Sequence, residues 1–334
     1  MAATSVLVFV AAGVLVAWAG VTLARAGDEI ARRAGLSRLL VGVLLVGAAT
    51  SLPEIATDVS ASLAGSPDLA VGDLMGSSMA NMAILALIDL MHRHQVWPAV
   101  EIGHARVASV AIGLTALATL GVLTPPGVAI GWVGLDTIVI AGAYVAMVAW
   151  MRRSPSGRFG SSSLIPVPTG WSKPTRGELR PAVLRFGFAA LVILGAAPLL
   201  ANSAQEIAAA AGIAETFVGA TMLALATSAP ELVAAVAAVR IGAHDLAVGN
   251  LFGSNAFNMA ALVVADAAYL PGPMLTVVDP GHAVAGVSAI LLMGLALAAL
   301  VHGTETRLRR LEPDALVLLV AYLGGLFAIW STGA

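Results

Sequence analysis

The sequence contains one polar motif that occurs twice inside apolar stretches. The first copy lies in residues 47–81 and includes T-S-L-P-E at 50–54. The second copy lies in residues 224–258 and includes T-S-A-P-E at 227–231. A carboxylate at the centre of a bilayer costs about 2.5–3.5 kcal/mol on insertion scales, so an acidic residue in such a stretch is a functional candidate. Two carboxylates at equivalent positions therefore indicate a site that binds cations.

The candidate ligands in the two copies all carry oxygen, and each lies 177 positions from its counterpart. The candidates are Thr50, Ser51, Glu54, Ser77, Asn81, Thr227, Ser228, Glu231, Ser254 and Asn258. Pro53 and Pro230 leave carbonyls of the preceding turn without a backbone donor, and such carbonyls can also bind ions inside a bundle. These oxygen ligands suit hard cations such as Ca²⁺ and Na⁺. The chain has no Cys, which excludes thiolate chemistry.

Two further acidic residues, Asp58 and Asp73, break the symmetry of the motif. The counterpart of Asp58 is Ala235, and the counterpart of Asp73 is Asn250. We expect Asp58, Asp73 and Asn250 to line an entrance vestibule or to contact the ligands from behind, rather than to coordinate the ion. With Asp73 on the outer side and Asn250 on the inner side, only the outer vestibule would carry negative charge.

Ten apolar runs predict an all-α polytopic membrane protein. Hydrophobic residues make up 59% of the chain and charged residues 11%, against about 25% charged residues in soluble domains. We interpret the first run as a retained helix, because it is too long for a signal peptide and no positive charge precedes it. The predicted spans are residues 4–23, 37–63, 69–91, 105–123, 131–151, 182–201, 214–239, 246–269, 281–302 and 313–331.

The repeat divides the chain into two halves of five predicted spans each. We predict a first repeat in residues 1–151, a linker loop in 152–180 and a second repeat in 181–334. Because five is an odd number, the halves enter the membrane in opposite directions and form inverted-topology repeats. Inverted repeats with interrupted helices near the bilayer midplane are typical of secondary transporters.

The Lys and Arg residues predict the orientation. All seventeen of them fall on one side of the predicted topology. The positive-inside rule makes this side cytoplasmic, so the 152–180 linker lies inside and both termini lie outside. We therefore predict an integral protein of a prokaryotic inner membrane, with the lipid bilayer as its surroundings. A net charge of −2 gives no sign of a nucleic-acid partner.

Polar residues near the ends of the spans are expected to be solvated or interfacial. His92, His94 and His104 fall in a short cytoplasmic loop, where solvation is the expectation. Asp89 and Asp266 lie near span ends and are expected at the membrane interface. These two acids share the offset of 177 positions, so a paired role also stays open.

The two motifs resemble the alpha repeats of the cation/Ca²⁺ antiporter superfamily, specifically its Na⁺/Ca²⁺ exchanger family. The paired T-S-x-P-E and G-S-x-x-x-N signatures carry the resemblance, which covers nearly all 334 residues. It implies ten helices in two inverted halves with ions bound in the middle. We expect Ca²⁺ and Na⁺ as transported ions, no enzymatic activity and no cofactor. The second copy matches the family pattern in full, whereas the first has Asp73 and Ser78 where Asn is commoner.

The resemblance also implies a role for each ligand. Ca²⁺ would be bound by Glu54 and Glu231 together with the carbonyls of Thr50 and Thr227. The flanking Na⁺ sites would combine the same two glutamates with Ser51, Ser77, Ser228 and Ser254. Asn81 and Asn258 would line the central site. For Ser51, Ser228 and Ser78, a purely structural hydrogen bond to a neighbouring helix is an equally good interpretation.

Three functions are compatible with the sequence to different degrees. A Na⁺-driven Ca²⁺ antiporter would use every residue of the motif. A H⁺/Ca²⁺ antiporter on the same fold would use Glu54 and Glu231 as proton carriers and would not need Ser77 and Ser254. An intramembrane aspartyl protease is a remote alternative, because Asp73 has no second Asp in a matching context.

Overall fold

Helices account for almost all of the structure. The computed structural model describes residues 2–91, 100, 103–153, 176–210, 226–302 and 313–332. Its helices are α1 (Ala2–Ala34), α2 (Arg38–Thr50), α3 (Leu52–Leu63), α4 (Pro67–Met91), α5 (Gly103–Leu123), α6 (Leu135–Arg153), α7 (Arg176–Ala210), α8 (Ala229–Arg240), α9 (His244–Ala268), α10 (His282–His302) and α11 (Pro313–Thr332). This architecture confirms the predicted all-α class.

The lengths of the helices support a multi-pass membrane protein. In the described part of the chain, seven helices are long and apolar enough to cross a bilayer. The pair α2 and α3, bent by 42°, makes an eighth candidate if it is counted as one span. Helix α6 is apolar but shorter, and the start of the predicted span 214–239 lies outside the described residues. Ten spans in two inverted halves therefore stay a prediction.

Helix α1 continues well beyond the predicted end at residue 23. The extra turns carry Asp28 and Glu29, and both acids are paired. Asp28 accepts a hydrogen bond of 2.7 Å from Nε of Arg38 and lies 3.1 Å from Nε of Arg32. Glu29 accepts a bond of 2.7 Å from Arg185 of α7. These pairs neutralise the charges of the extension and tie it to its neighbours.

The helix is interrupted at the same position in both repeats. Ser51 separates α2 from α3 with φ −84° and ψ 0°, and Ser228 precedes α8 with φ −80° and ψ 4°. The Pro of each motif then falls in the first turn of the new helix, where a missing N–H costs no hydrogen bond. The interruption thus places Glu54 and Glu231 in the first turns of α3 and α8.

Helix α2 packs directly against α9 through glycines. A Cβ atom on Gly42 would lie 2.7 Å from the carbonyl oxygen of Leu246, and one on Gly253 would lie 2.6 Å from Cα of Val43. Only residues without a side chain allow the two backbones to come this close. A π-helical turn at Gly42–Val46 lies along this contact. Such turns widen a helix locally and often occur at functional sites.

A short β-hairpin precedes α6. Its strands, Ala129–Ile130 and Val133–Gly134, pair antiparallel, and Gly131 in the turn has φ +68°. The fifth predicted span was expected to begin at residue 131, but the helix begins only at Leu135. The apolar sequence of the hairpin resembles a helix start, whereas the left-handed glycine favours the turn.

The most polar membrane helices lie at the centre of the bundle. Helices α4 and α9 carry the second part of each motif, and most of their residues are buried. In contrast, α1, α7 and α11 expose large apolar side chains, for example Leu7, Leu191 and Val320. The peripheral helices therefore present a surface suited to lipid, and the central pair is free to carry polar residues.

Candidate ion-binding site

The two interruptions bring the carboxylates of the two motifs into one buried site. Glu54 and Glu231 have no exposed side-chain surface. Ser51 donates a hydrogen bond of 3.1 Å to Oε1 of Glu231, and Ser228 donates one of 3.5 Å to Oε1 of Glu54. Each serine thus bonds the glutamate of the other repeat. The symmetric exchange is what the constant offset between the motifs predicts for two related halves.

The threonines of the motifs make a second reciprocal pair of contacts. Thr50 donates a hydrogen bond of 3.1 Å to Oδ1 of Asn250, and Thr227 donates one of 3.3 Å to Oδ1 of Asp73. Thr50 also bonds to the carbonyl oxygen of Val46, at 3.0 Å. The acceptors Asn250 and Asp73 are the counterparts at which the two copies differ, and an acid and an amide serve equally well as acceptors here.

The serines of α4 and α9 occupy less symmetric surroundings. Ser254 lies 3.3 Å from both Oε1 of Glu231 and the carbonyl oxygen of Gly47. Its counterpart Ser77 is fully buried, and its hydroxyl has no hydrogen-bond partner in the described part of the chain. The carbonyl equivalent to that of Gly47 belongs to residue 224, which lies outside the described residues.

The asparagines Asn81 and Asn258 have different surroundings, because residue 78 of the first copy is a serine where the family pattern has an asparagine. Asn81 donates a hydrogen bond of 2.8 Å to Oδ1 of Asn255. The reciprocal partner for Asn258 would be residue 78, but the short side chain of Ser78 bonds instead to the carbonyl oxygen of Leu74, at 2.9 Å. Both polar atoms of buried Asn258 consequently have no partner among the described residues. The sequence pattern alone does not indicate this role of Asn255.

The site offers several buried oxygen atoms that the described part of the protein leaves without a donor. Leaving a polar group or a charge buried in this way costs free energy unless another partner is present. A cation would satisfy these atoms, and an all-oxygen set suits Ca²⁺ or Na⁺. The atoms are Oε2 of Glu54, Oε2 of Glu231, Oγ of Ser77, Oδ1 of Asn81 and Oδ1 of Asn258.

Asp58 and Asp73 lie beside this site and are also buried. Asp58 is 1% exposed and Asp73 2% exposed. They lie close enough to interact electrostatically with each other and with Glu54. The carboxyl groups of Asp58 and Asp73 lie next to each other. Asp73 contacts the site directly, because it accepts a hydrogen bond from the predicted ligand Thr227. Its role in a vestibule stays a prediction.

The expectation of a solvated His104 is wrong. Its side chain is fully buried, and Nε2 lies 3.2 Å from Oδ1 of Asp245 at the start of α9. The loop pattern could not reveal this contact, because Asp245 lies 141 positions away in the sequence. The other two histidines of the predicted loop, His92 and His94, lie outside the described residues.

A matching contact occurs in the other half of the protein. Nε2 of His282 lies 3.2 Å from Oδ1 of Asp68, and Asp68 is the repeat counterpart of Asp245. This second pair is less buried, because Asp68 is 52% exposed and His282 is 16% exposed. The starts of α4 and α9 are thus each bound by a histidine from the opposite repeat. The offset of 177 positions between Asp68 and Asp245 is the sequence signal for this pair of contacts.

Asp266 stabilises the hairpin region and is not solvated. It is fully buried and accepts hydrogen bonds of 2.7 Å from the backbone of Gly134, 2.6 Å from Thr137 and 2.7 Å from the backbone of Met274. Its counterpart Asp89 is also fully buried. These acids lie at the span ends, as predicted, but inside the protein.

Comparisons with known proteins agree with the resemblance noted in the sequence. The profile of a family described as sodium/calcium exchanger protein matches residues 4–151 and 181–331. The inner membrane protein YrbG of Escherichia coli is 30% identical over 289 residues, which cover 86% of this chain and 85% of YrbG. The CaxA protein of Alkalimonas amylolytica is 29% identical over 335 residues, covering 97% of this chain and 98% of CaxA.

Solved structures of the sodium-calcium exchanger NCX_Mj have the same fold. One of them, soaked with 100 mM Na⁺ and 10 mM Sr²⁺, superposes with a TM-score of 0.74 at 20% sequence identity. The superposition covers 98% of this chain and 99% of that chain. The whole chain, and not one half alone, therefore shares this architecture.

Proposed function

The chain belongs to the sodium/calcium exchanger protein family, and we propose that it exchanges Na⁺ for Ca²⁺ across the membrane by alternating access. The family and the fold are those of exchangers, which are transporters and not enzymes. The ions bind between the two repeats, near the bilayer midplane. The transported ions are the ligands of the site, and no resident cofactor takes part.

The reciprocal contacts between the repeats carry this proposal. Ser51 bonds to Glu231 and Ser228 bonds to Glu54, so each half contributes a carboxylate and orients that of the other half. Two carboxylates together match the charge of one Ca²⁺, and the neutral oxygens around them complete a coordination shell. A shell divided between two halves can open to either side when the halves move, which is the geometry that alternating access needs.

We assign the ligands as the family resemblance implies. Ca²⁺ binds to Glu54 and Glu231 and to the carbonyls of Thr50 and Thr227. Asn81 and Asn258 line the centre, and the polar atoms of Asn258 that have no partner among the described residues support this role. The Na⁺ sites use the two glutamates and the hydroxyls of Ser51, Ser77, Ser228 and Ser254.

The orientation remains part of the proposal. The two halves of five spans have opposite orientations, both termini lie outside and the 152–180 linker lies in the cytoplasm of a prokaryotic cell. The paired contacts of His104 with Asp245 and of His282 with Asp68 support a two-fold relation, because equivalent acids meet histidines from opposite repeats. Cys residues introduced into this Cys-free chain can be labelled from outside or inside: labelling at position 165 in intact cells would contradict the orientation.

The coupling ion distinguishes this proposal from its alternative. Ser254 lies within 3.3 Å of Glu231 and of the carbonyl oxygen of Gly47, which gives Na⁺ neutral oxygen ligands that a proton carrier would not need. A H⁺/Ca²⁺ antiporter is the second candidate. The observation that favours it is Asp58, a buried acid next to a second buried acid, Asp73, since such acids form proton relays in membrane proteins.

Transport by the purified protein tests the two candidates directly. In proteoliposomes loaded with Na⁺, an outward Na⁺ gradient should drive uptake of radioactive Ca²⁺, and a pH gradient of the same size without Na⁺ should not. Protein-free liposomes give the background leak. Uptake that follows the pH gradient and ignores Na⁺ would establish the H⁺/Ca²⁺ antiporter instead.

A further inference from the structure

A groove on the lipid-facing side of the bundle is not explained by the ion site. It lies between α1 and α8 and has a volume of about 370 Å³, which falls within the ~300–1,000 Å³ of typical ligand sites. The two helices touch at Gly20, where an added Cβ would lie only 2.7 Å from Cγ1 of Val233. The groove follows this line of contact, and helix α8 carries Glu231 of the ion site in its first turn.

The walls of the groove are apolar. Helix α1 contributes Ala17 and Val21, which are one turn apart, and α8 contributes Leu232, Val236 and Ala237. The spacing of three to four residues forms a continuous stripe along each helix. Leu232 at the rim is 36% exposed. Such a groove fits an unbranched hydrocarbon chain that runs parallel to the two helices.

One end of the groove carries two arginines, Arg25 of α1 and Arg240 of α8. Both are exposed, and neither forms an ion pair or hydrogen bond with any residue that the structure describes. This is unusual for α1, where Arg32 pairs with Asp28 and Arg33 pairs with Glu29. The two guanidinium groups therefore provide positive charge at the mouth of an apolar groove, with no counter-charge among the described residues.

We propose that this groove binds an acidic phospholipid, with its phosphate held between Arg25 and Arg240 and one acyl chain along the apolar stripe. Guanidinium groups bind phosphate through charge-assisted, often bidentate hydrogen bonds. Basic pockets between membrane helices on the cytoplasmic side bind acidic headgroups, and the predicted orientation places both arginines on that side. The lipid links α1 to the helix that carries Glu231, so it stabilises one half of the ion site without contacting the ions.

Lipid titration of the full-length protein in detergent tests the proposal. Phosphatidylglycerol should bind more tightly than phosphatidylcholine, measured by native mass spectrometry and by the rise in melting temperature. Arg25→Gln and Arg240→Gln should each weaken phosphatidylglycerol binding about tenfold, because each removes charged hydrogen bonds to the phosphate. The matched control is Arg180→Gln, which removes an exposed arginine of α7 that does not line the groove.

A second variant tests the apolar wall. Val236→Trp fills the groove and leaves both arginines in place, so it should also weaken the binding of phosphatidylglycerol. Glycerol phosphate, which has the headgroup chemistry but no acyl chain, should not raise the melting temperature of the wild type. Equal lipid binding by wild type, the arginine variants and the Arg180→Gln control would overturn the proposal. A rise in melting temperature with glycerol phosphate as large as that with phosphatidylglycerol would also overturn it. If Val236→Trp does not fold, the arginine variants alone decide the question.

Discussion

The hydroxyl of Ser51 bonds to the carboxylate of Glu231 across the boundary between the two repeats, at 3.1 Å. Ser228 makes the equivalent contact with Glu54, at 3.5 Å. Neither half of the protein therefore holds a complete site. The contact also explains why each motif places its serine three residues before the glutamate, because the serine lies at the helix interruption and faces the other repeat.

Replacement of either central glutamate should abolish Ca²⁺ transport. Glu54→Gln and Glu231→Gln each halve the formal charge that the two ligands present to a divalent ion in a medium of low dielectric constant. Both variants should still insert and fold, since Gln keeps the size and one carbonyl oxygen. Uptake of radioactive Ca²⁺ into proteoliposomes measures the effect. Glu206→Gln is the control, because it changes an exposed acid bonded to Ser5. Normal uptake by either central variant would refute the assignment of that glutamate.

The repeated motif predicts part of the contact pattern between the two halves, such as the bonds of Ser51 and Ser228 to the glutamates. A repeated motif with a constant offset must form the same local structure twice, and a buried carboxylate needs polar neighbours. Those two facts predict that Glu54 and Glu231 share a site with the serines and threonines of both motifs. The helix interruption at Ser51 and Ser228 likewise follows from the proline two positions further along.

Other features depend on contacts that a linear pattern does not contain. The π-helical turn at Gly42–Val46 lies where α2 approaches α9. Apart from Gly42, the local sequence gives no sign of this turn. His104 has the sequence surroundings of a solvated loop residue, yet Asp245 from the other repeat binds it. Asn258 loses its partner because residue 78 on another helix is a serine. In each case a distant residue decides the outcome.

Ser78→Asn should stabilise the protein and weaken cation binding. The new amide would lie where Asn255 lies in the other repeat and would accept a hydrogen bond from Asn258, as Asn255 does from Asn81. One added hydrogen bond contributes about 0.5–1.5 kcal/mol to the unfolding free energy. The bond would also hold Asn258 away from the ion. The melting temperature should therefore rise while the apparent Ca²⁺ affinity falls.

Ser78→Ala is the control for this change, because it removes the bond to the carbonyl of Leu74 and adds no partner for Asn258. It should leave the Ca²⁺ affinity close to that of the wild type. A Ser78→Asn variant that binds Ca²⁺ as well as the wild type would show that Asn258 does not line the central site.

The two histidine–aspartate pairs should differ in their contribution to stability. His104→Ala removes a fully buried partner of Asp245 and should lower the unfolding free energy by about 1–3 kcal/mol. His282→Ala affects a pair in which Asp68 is 52% exposed, and should cost at most about 1 kcal/mol. Melting temperatures in detergent measure the difference. The exposed His302→Ala is the control, and equal losses for the two pairs would contradict the role of burial.

The last prediction concerns Asp73, at which the two motifs differ in charge. Asp73 and Asn250 occupy equivalent positions and accept hydrogen bonds from Thr227 and Thr50. In the predicted orientation Asp73 lies one turn outward from Ser77, whereas Asn250 lies one turn inward from Ser254. A carboxylate on the outer path should raise the local concentration of cations there. We therefore expect Asp73→Asn to weaken the apparent Ca²⁺ affinity of the outer face and to leave the inner face nearly unchanged.

The same substitution keeps the contact with Thr227, because the amide oxygen of Asn can accept the hydrogen bond as Asn250 does in the other repeat. The fold should thus be retained, and the change isolates the charge. Oriented vesicles allow the Ca²⁺ dependence of each face to be measured separately. The loss at the outer face should be larger at low ionic strength, where screening is weaker. Equal effects on both faces would instead assign Asp73 to the shared ion site, since a ligand or its direct support affects both directions alike.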